Sequence, residues 1–244
     1  ILGPWVSERA GLEVSRNREP GEVELLAEER LLVPLANPAT SERLVDLALA
    51  MRGNSLQPVF PLNVIHSSDP ARIREGEEML GSALAHTAAA DVPATPLTRV
   101  DLQIHSGILR AAVESRATAI VAGWNGHRSS GQRVFGSVLD PLLREATQAL
   151  IVARLVRPLA SFHRVVVAAP PGFAGHPEAD AALLLAKRLA GSLGSDILIL
   201  GVGDEADVVR SRLVHLPPRT GIHLRRLATW VDLYQILRHE ISES

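Results

Sequence analysis

Cysteine is absent from the 244 residues, so neither a disulfide nor a thiolate-held metal is open to this chain. Aromatic residues make up only 3%. The core must therefore be assembled from Leu, Val, Ile and Ala, and a hydrophobic share of 46% is enough to supply one. An excess of charge is lacking too. The 25 basic and 27 acidic residues leave a formal charge of −2, which gives no reason to expect nucleic acid or an acidic membrane surface as partner. No apolar run reaches the roughly 18 residues of a spanning helix, and no secretory leader is visible. The nine histidines show no metal-binding spacing. No G-x-S-x-G elbow, H-E-x-x-H pair or Cys/His couple occurs. No catalytic constellation is therefore visible, and enzyme activity is not expected from these residues.

What the chain does have is a glycine-rich crossing from Gly123 to Ser137, GWNGHRSSGQRVFGS. It follows the apolar run Ala119–Ala122, which reads as a buried strand. It precedes Val138–Leu143, which reads as a helix start. Glycine admits positive φ and lets a ligand approach the main chain. A helix start offers unpaired N–H groups and a partial positive charge, and the combination suits a phosphate. The plainer alternative is a surface loop running into a capped helix, with Ser137 and Asp140 as the capping pair.

Strands and helices alternate on either side of this crossing. Arg30–Ala36 predicts the first strand. Asn37-Pro38 opens a helix, Asn as N-cap and Pro at the first helical position, with Leu44, Leu47, Ala48 and Met51 on its inner face. Gly53-Asn54 ends it. Val59–Ile65 predicts a second strand, and Asp69-Pro70 repeats the cap-plus-proline device before a long helix through Ile73, Leu80 and Leu84. A short strand over Thr95–Val100 follows, then a helix over Leu102–Ser115 with Ile104, Ile108, Ala111 and Ala112 inward. The strand before the crossing, a helix to about Thr147 and a fifth strand over Leu150–Leu155 complete the series. The strands look apolar on both faces, which predicts a parallel sheet covered by helices. In such α/β sheets ligands bind beyond the carboxyl ends of the strands, at a topological switch point. The glycine crossing leaves the fourth strand at that end.

The spacing adds a resemblance. Two residues separate Gly123 from Gly126, nine separate Gly126 from Gly136, and Ser137 follows at once. This Gly-x2-Gly-x9-Gly-Ser/Thr pattern resembles the nucleotide-binding signature of the universal stress protein family, and differs from the Walker and dinucleotide patterns. The resemblance covers Arg30 to Arg157. It implies an open, doubly wound parallel α/β sheet of the adenine-nucleotide alpha hydrolase type, without the His-x-Gly-His and Lys-Met-Ser-Lys-Ser signatures of the related adenylating enzymes. It also implies a bound adenine nucleotide: AMP, ADP or ATP. Carried over by position, Pro34, Leu35, Ala36 and Asn37 form the first-strand tip. Val64 and Ile65 form the second-strand tip, against which adenine packs. Gly123, Gly126, Gly136 and Ser137 make the phosphate loop, and Val138 closes over the ribose. His127 and Arg128 lie inside the loop, as do Ser129, Ser130 and Arg133, which either donate to a phosphate or form a solvated loop. The family commonly has Asp where Asn37 stands. An amide carries no charge to hold magnesium, which prefers carboxylate oxygen, so Mg2+-dependent ATP binding is doubtful and AMP or ADP gains ground. Asn37 as a simple helix cap is the competing reading.

The ends of the chain carry further expectations. Ile1–Gly11, ILGPWVSERAG, resembles the exit of the last membrane helix of bacterial monovalent cation/proton antiporters, with Ser7 in place of the usual Thr. A polar linker follows from Leu12 to Leu26. The chain opens on Ile1 instead of Met, which suggests a piece of something longer. Beyond the joint at Arg157–Ser161 the pattern restarts. Arg164–Pro171 echoes Arg30–Pro38, Asp196–Leu200 reads as a second strand, and Val231–Leu233 with Ile236–Arg238 echoes Val100–Leu102 with Ile108–Arg110. The expected organisation is a membrane-exit segment and linker over 1–27, a universal stress protein-like domain over 28–157, and a second, divergent and truncated α/β module over 161–244. The resemblances imply a regulatory domain at the cytoplasmic face of the inner membrane, attached in cis to a Na+/H+ or K+/H+ antiporter. It would be homodimeric through the edge strand Leu150–Leu155, because an unpaired apolar edge is a template for pairing. A free-standing tandem stress protein that binds or slowly hydrolyses ATP, and a dimerisation module with a vestigial pocket, are the alternatives.

Overall fold

The computed structural model describes residues 29–53, 55–66, 69–126, 135–233 and 236. The membrane-exit segment and linker expected over 1–27 lie outside them. The chain divides after Arg157 into two units.

The first unit runs β1 (Leu31–Pro34), α1 (Pro38–Met51), β2 (Phe60–Ile65), α2 (Pro70–Ala89), β3 (Leu97–Val100), α3 (Ile104–Glu114), β4 (Ala119–Gly123), α4 (Leu139–Glu145) and β5 (Ala149–Ala153). Its five strands lie in the order β3-β2-β1-β4-β5, and every pair is parallel. This is the open, doubly wound α/β sheet. Leu31, Leu32 and Val33 are fully buried in the central β1, as a strand covered on both faces requires. Leu32, Leu62, Ile120 and Leu142 join one cluster with Ile108, Ala111 and Ala112 of α3.

The helix starts are local in origin. Asn37 Oδ1 accepts the Ala39 N–H at 2.9 Å ahead of Pro38. Asp69 Oδ1 accepts the Ala71 N–H at 2.9 Å ahead of Pro70. Each side chain satisfies a donor that the first turn leaves open. One expectation needs correction. β3 is not apolar on both faces: Leu97 and Arg99 are half-buried, whereas Thr98 and Val100 are exposed. It is an edge strand, and its outer face meets water.

The second unit contains β6 (Arg164–Ala169), α5 (Ala179–Leu193), β7 (Asp196–Val202), α6 (Glu205–His215) and β8 (Ile222–Leu227). Its sheet is parallel, in the order β6-β7-β8. Each strand neighbours the next, as β1, β2 and β3 do in the first unit. The second sheet thus repeats the first three strands of the fold. Ala169, Leu183, Ile197, Ile199, Val209 and Leu213 make its core.

Lys187 of α5 departs from the usual lysine: it is only 2% exposed. Its Nζ donates to Thr220 Oγ1 at 3.0 Å. Burial disfavours the charged amine and holds its pKa below the ordinary 10.5. Between the lowered value and 10.5 the unfolded chain binds more protons than the folded one, so stability rises with pH through that window. Lys187→Met removes the ionisable group. Urea denaturation followed by circular dichroism should give a midpoint that rises as the pH approaches 10.5 for the unmodified protein. The variant should be more stable at pH 8 and should lack that rise. A variant less stable than the parent at pH 8 would contradict this account.

Candidate functional site

Parallel strands bring all their carboxyl ends to one edge of the sheet. The turn after β1 therefore lies beside the end of β2 on one side and the exit of β4 on the other. A cleft of about 800 Å³ opens there. Pro34, Leu35, Ala36 and Asn37 line it from the first-strand tip, and Val64 and Ile65 from the second. Gly123 contributes from the end of β4, and Gly136, Ser137 and Val138 from the approach to α4. Gly126 is not among the lining residues but follows Asn125, which is. His127 and Arg128 lie outside the described residues, as do Ser129, Ser130 and Arg133.

Two glycines of the signature have backbones that suit no other residue well. Gly126 has φ +82° and Gly136 has φ +109°, both in the region where a Cβ is strained. The loop ends are clipped together by aromatic side chains. Trp124 and Phe135 meet edge-to-face, with ring centroids 5.2 Å apart at 76°, a favourable arrangement of their quadrupoles. The Trp124 backbone N–H also donates to Ala153 O at 2.8 Å, which ties the loop to the end of β5. The indole N–H of Trp124 is buried and has no hydrogen-bond partner among the described residues.

The Ser137/Asp140 capping pair of the plainer alternative is replaced by a different device. No side chain caps α4 at Val138. Instead Asp140 turns back on the loop: the Phe135 N–H donates to its Oδ1 at 3.1 Å and the Gly136 N–H to its Oδ2 at 3.2 Å. The carboxylate thereby occupies two amides that sequence reasoning had left open for a phosphate. α4 has seven residues, so its dipole adds little at this end.

The cleft's charge is sparse. Asn37 brings none to the first-strand tip, and its Oδ1 is already engaged as a cap. Arg72 and Glu75 pair with each other at 3.3 Å and are well exposed. Arg154 also lines the cleft. The strand containing it ends two residues earlier than predicted. β5 stops at Ala153 because its partner β4 stops at Gly123, the last register pair being Gly123↔Ala153. Arg154 and Leu155 are thereby released into the cleft wall. Sequence reasoning missed Trp124, Phe135, Asn63 and Arg154. Asn63 is the one polar residue in the otherwise apolar Phe60–Ile65, and Arg154 the one charge in Leu150–Leu155, a signal visible in both cases.

If Asp140 holds the loop closed, Asp140→Ala should free the Phe135 and Gly136 amides. Their hydrogen exchange, measured by NMR, should rise about tenfold, since a hydrogen bond to a charged group is worth roughly 1.5–3 kcal/mol. Unchanged exchange would mean that the carboxylate does not secure the loop.

Comparison with known proteins bears on this cleft. The family model described as "Universal stress protein family" matches residues 28–154. A curated protein named Na(+)/H(+) antiporter NhaS5, from Synechocystis sp., is 30% identical over 145 residues. That match covers 56% of this chain but only 21% of the relative's length. Among solved structures, a universal stress protein from Archaeoglobus fulgidus DSM 4304 superposes with a TM-score of 0.57 at 19% identity, covering 89% of this chain and 83% of its own. That likeness concerns the fold. A universal stress protein from Archaeoglobus fulgidus solved in complex with dAMP is 20% identical, with a TM-score of 0.43, and covers 52% of this chain and 98% of its own.

Proposed function

The chain belongs, through residues 28–154, to the universal stress protein family, and from that premise we propose that it is a nucleotide-responsive regulatory domain of a cation/proton antiporter. An adenine nucleotide, AMP, ADP or ATP, occupies the cleft of the first unit. Its occupancy biases transport of Na+ or K+ against protons by a membrane domain joined to it in cis. The reading puts the domain at the cytoplasmic face of the inner membrane. On this reading the domain binds and does not catalyse.

The observation that carries the reading is the cleft at the carboxyl ends of β1, β2 and β4. Its apolar wall at Val64 and Ile65 suits a base, and Gly136 and Ser137 lie in the same cleft. Its volume is within the range of small-molecule sites. The partial likeness to a protein named as a Na(+)/H(+) antiporter supports the transport half. Any bias on transport is bounded by the nucleotide's differential affinity for the two transport states. Magnesium fits poorly, because Asn37 offers no carboxylate and Glu75 is engaged by Arg72.

Assembly belongs to the same proposal. β5 lies at the edge of its sheet, and we expect this edge, read from the sequence as Leu150–Leu155 and ending at Ala153 in the structure, to pair with its counterpart in a second copy as a homodimer. Val152→Pro removes a ladder donor and should yield monomers by light scattering. An unmodified protein that is monomeric at tens of micromolar would exclude this dimer.

Ligand binding is tested by thermal unfolding. At a hundredfold excess over Kd a nucleotide that binds only the folded state adds about 2.7 kcal/mol. AMP should raise the melting temperature without magnesium. Asn37→Asp, which preserves the helix cap, should tighten binding of ATP in the presence of magnesium. If AMP, ADP and ATP all leave the melting temperature unmoved, the cleft is vestigial and the dimerisation role is what remains. If Asn37→Asp leaves ATP affinity unchanged, Asn37 acts only as a cap.

A further inference from the structure

Building on that reading, we propose that Arg154 recognises the phosphate of the bound nucleotide and makes the cleft selective for a nucleoside monophosphate over a magnesium-chelated triphosphate.

The argument begins with the backbone. Arg154 is the first residue past β5, and its position is fixed from both sides. The Trp124 N–H donates to Ala153 O at 2.8 Å. Arg43 of α1 donates through Nη1 to Leu155 O at 3.2 Å. An arginine at a ragged strand end would wander, whereas this one is held at the cleft wall.

The side chain then crosses the loop's second glycine. A Cβ placed on Gly126 would lie 2.4 Å from Arg154 Nε and 3.0 Å from its Cζ. The guanidinium thus rests against the Gly126 backbone in the space that a side chain would fill. An anion drawn to the glycine loop meets this group. A guanidinium is permanently charged and presents a planar fork that matches two phosphate oxygens.

Charge accounting points the same way. Of the described residues lining the cleft, Arg72 and Arg154 are the arginines. Arg72 is matched by Glu75, whereas Arg154 has no ion-pair partner among the described residues. The carboxylate of Asp140 faces the Phe135 and Gly136 amides, which leaves those donors taken. Among the described residues this leaves Arg154 as an unmatched cation beside a strand tip that carries Asn37 and no carboxylate, an arrangement that suits a terminal phosphate. A magnesium-bound triphosphate would find no carboxylate at Asn37 to hold its metal.

Calorimetric titration of the 244-residue protein with adenosine, AMP and ATP, with and without magnesium, tests the inference. Unmodified protein should bind AMP more tightly than adenosine, and more tightly than ATP in either condition. Arg154 is exposed, so Arg154→Met should fold normally. It should lose about ten- to hundredfold in AMP affinity, as expected for a charge-assisted contact, while adenosine affinity stays within about twofold. Arg154→Lys should fall between the two, since it keeps the charge and loses the fork. If Arg154→Met binds AMP as tightly as its parent, or loses adenosine and AMP equally, the inference is overturned while nucleotide binding itself stands. If the unmodified protein binds no AMP, the parent reading fails and this inference fails with it.

Discussion

The pairing of β1 with β2 on one side and β4 on the other is the constraint on which the rest of this unit depends. All three strands run in the same direction, so their carboxyl ends open on one edge. The registers Leu32↔Phe60 and Leu32↔Ile120 set how far each strand reaches before it turns. Buried Leu31, Leu32 and Val33 hold this central strand between the helices on the two faces of the sheet. The cleft is a consequence of this packing. It exists where the chain leaves the central strands in different directions, the place where open α/β sheets hold their ligands.

Much of this was legible in the sequence because its causes are local. Asn37-Pro38 and Asp69-Pro70 start helices through bonds that span two residues. Apolar runs such as Ala119–Ala122 are buried wherever they fall in such a sheet. The residues at the strand tips follow once the strands are known, which is why Pro34 to Asn37, Val64, Ile65 and Gly123 lie together. What was not legible depends on partners distant in sequence. The end of β5 is set by the length of β4, so Arg154 read as part of a strand. The exposure of Thr98 and Val100 follows from the edge position of β3, which composition does not reveal. Asp140 is a local exception: its carboxylate takes the Phe135 and Gly136 amides, five and four residues before it, where a cap on the first turn of α4 was the simpler reading.

Lys187 illustrates the same limit in the second unit. A lysine in a helix reads as a surface residue, yet this one lies buried beneath Thr220. Its cost is borne by a unit whose sheet has three strands against five in the first. The two units share an order of elements and differ in how much sheet they complete. The described glycine signature belongs to the first unit alone, and the functional account rests there.

The central claim is that the β1–β2–β4 cleft takes an adenine nucleotide. Backbone NMR of the protein during titration with AMP tests it most directly. The account predicts that chemical-shift changes concentrate at Leu35 to Asn37, Val64 to His66, Gly123 to Gly126, and Gly136 to Val138, with a common saturation curve. Saturable shifts confined to the second unit, or none anywhere at millimolar AMP, would contradict it.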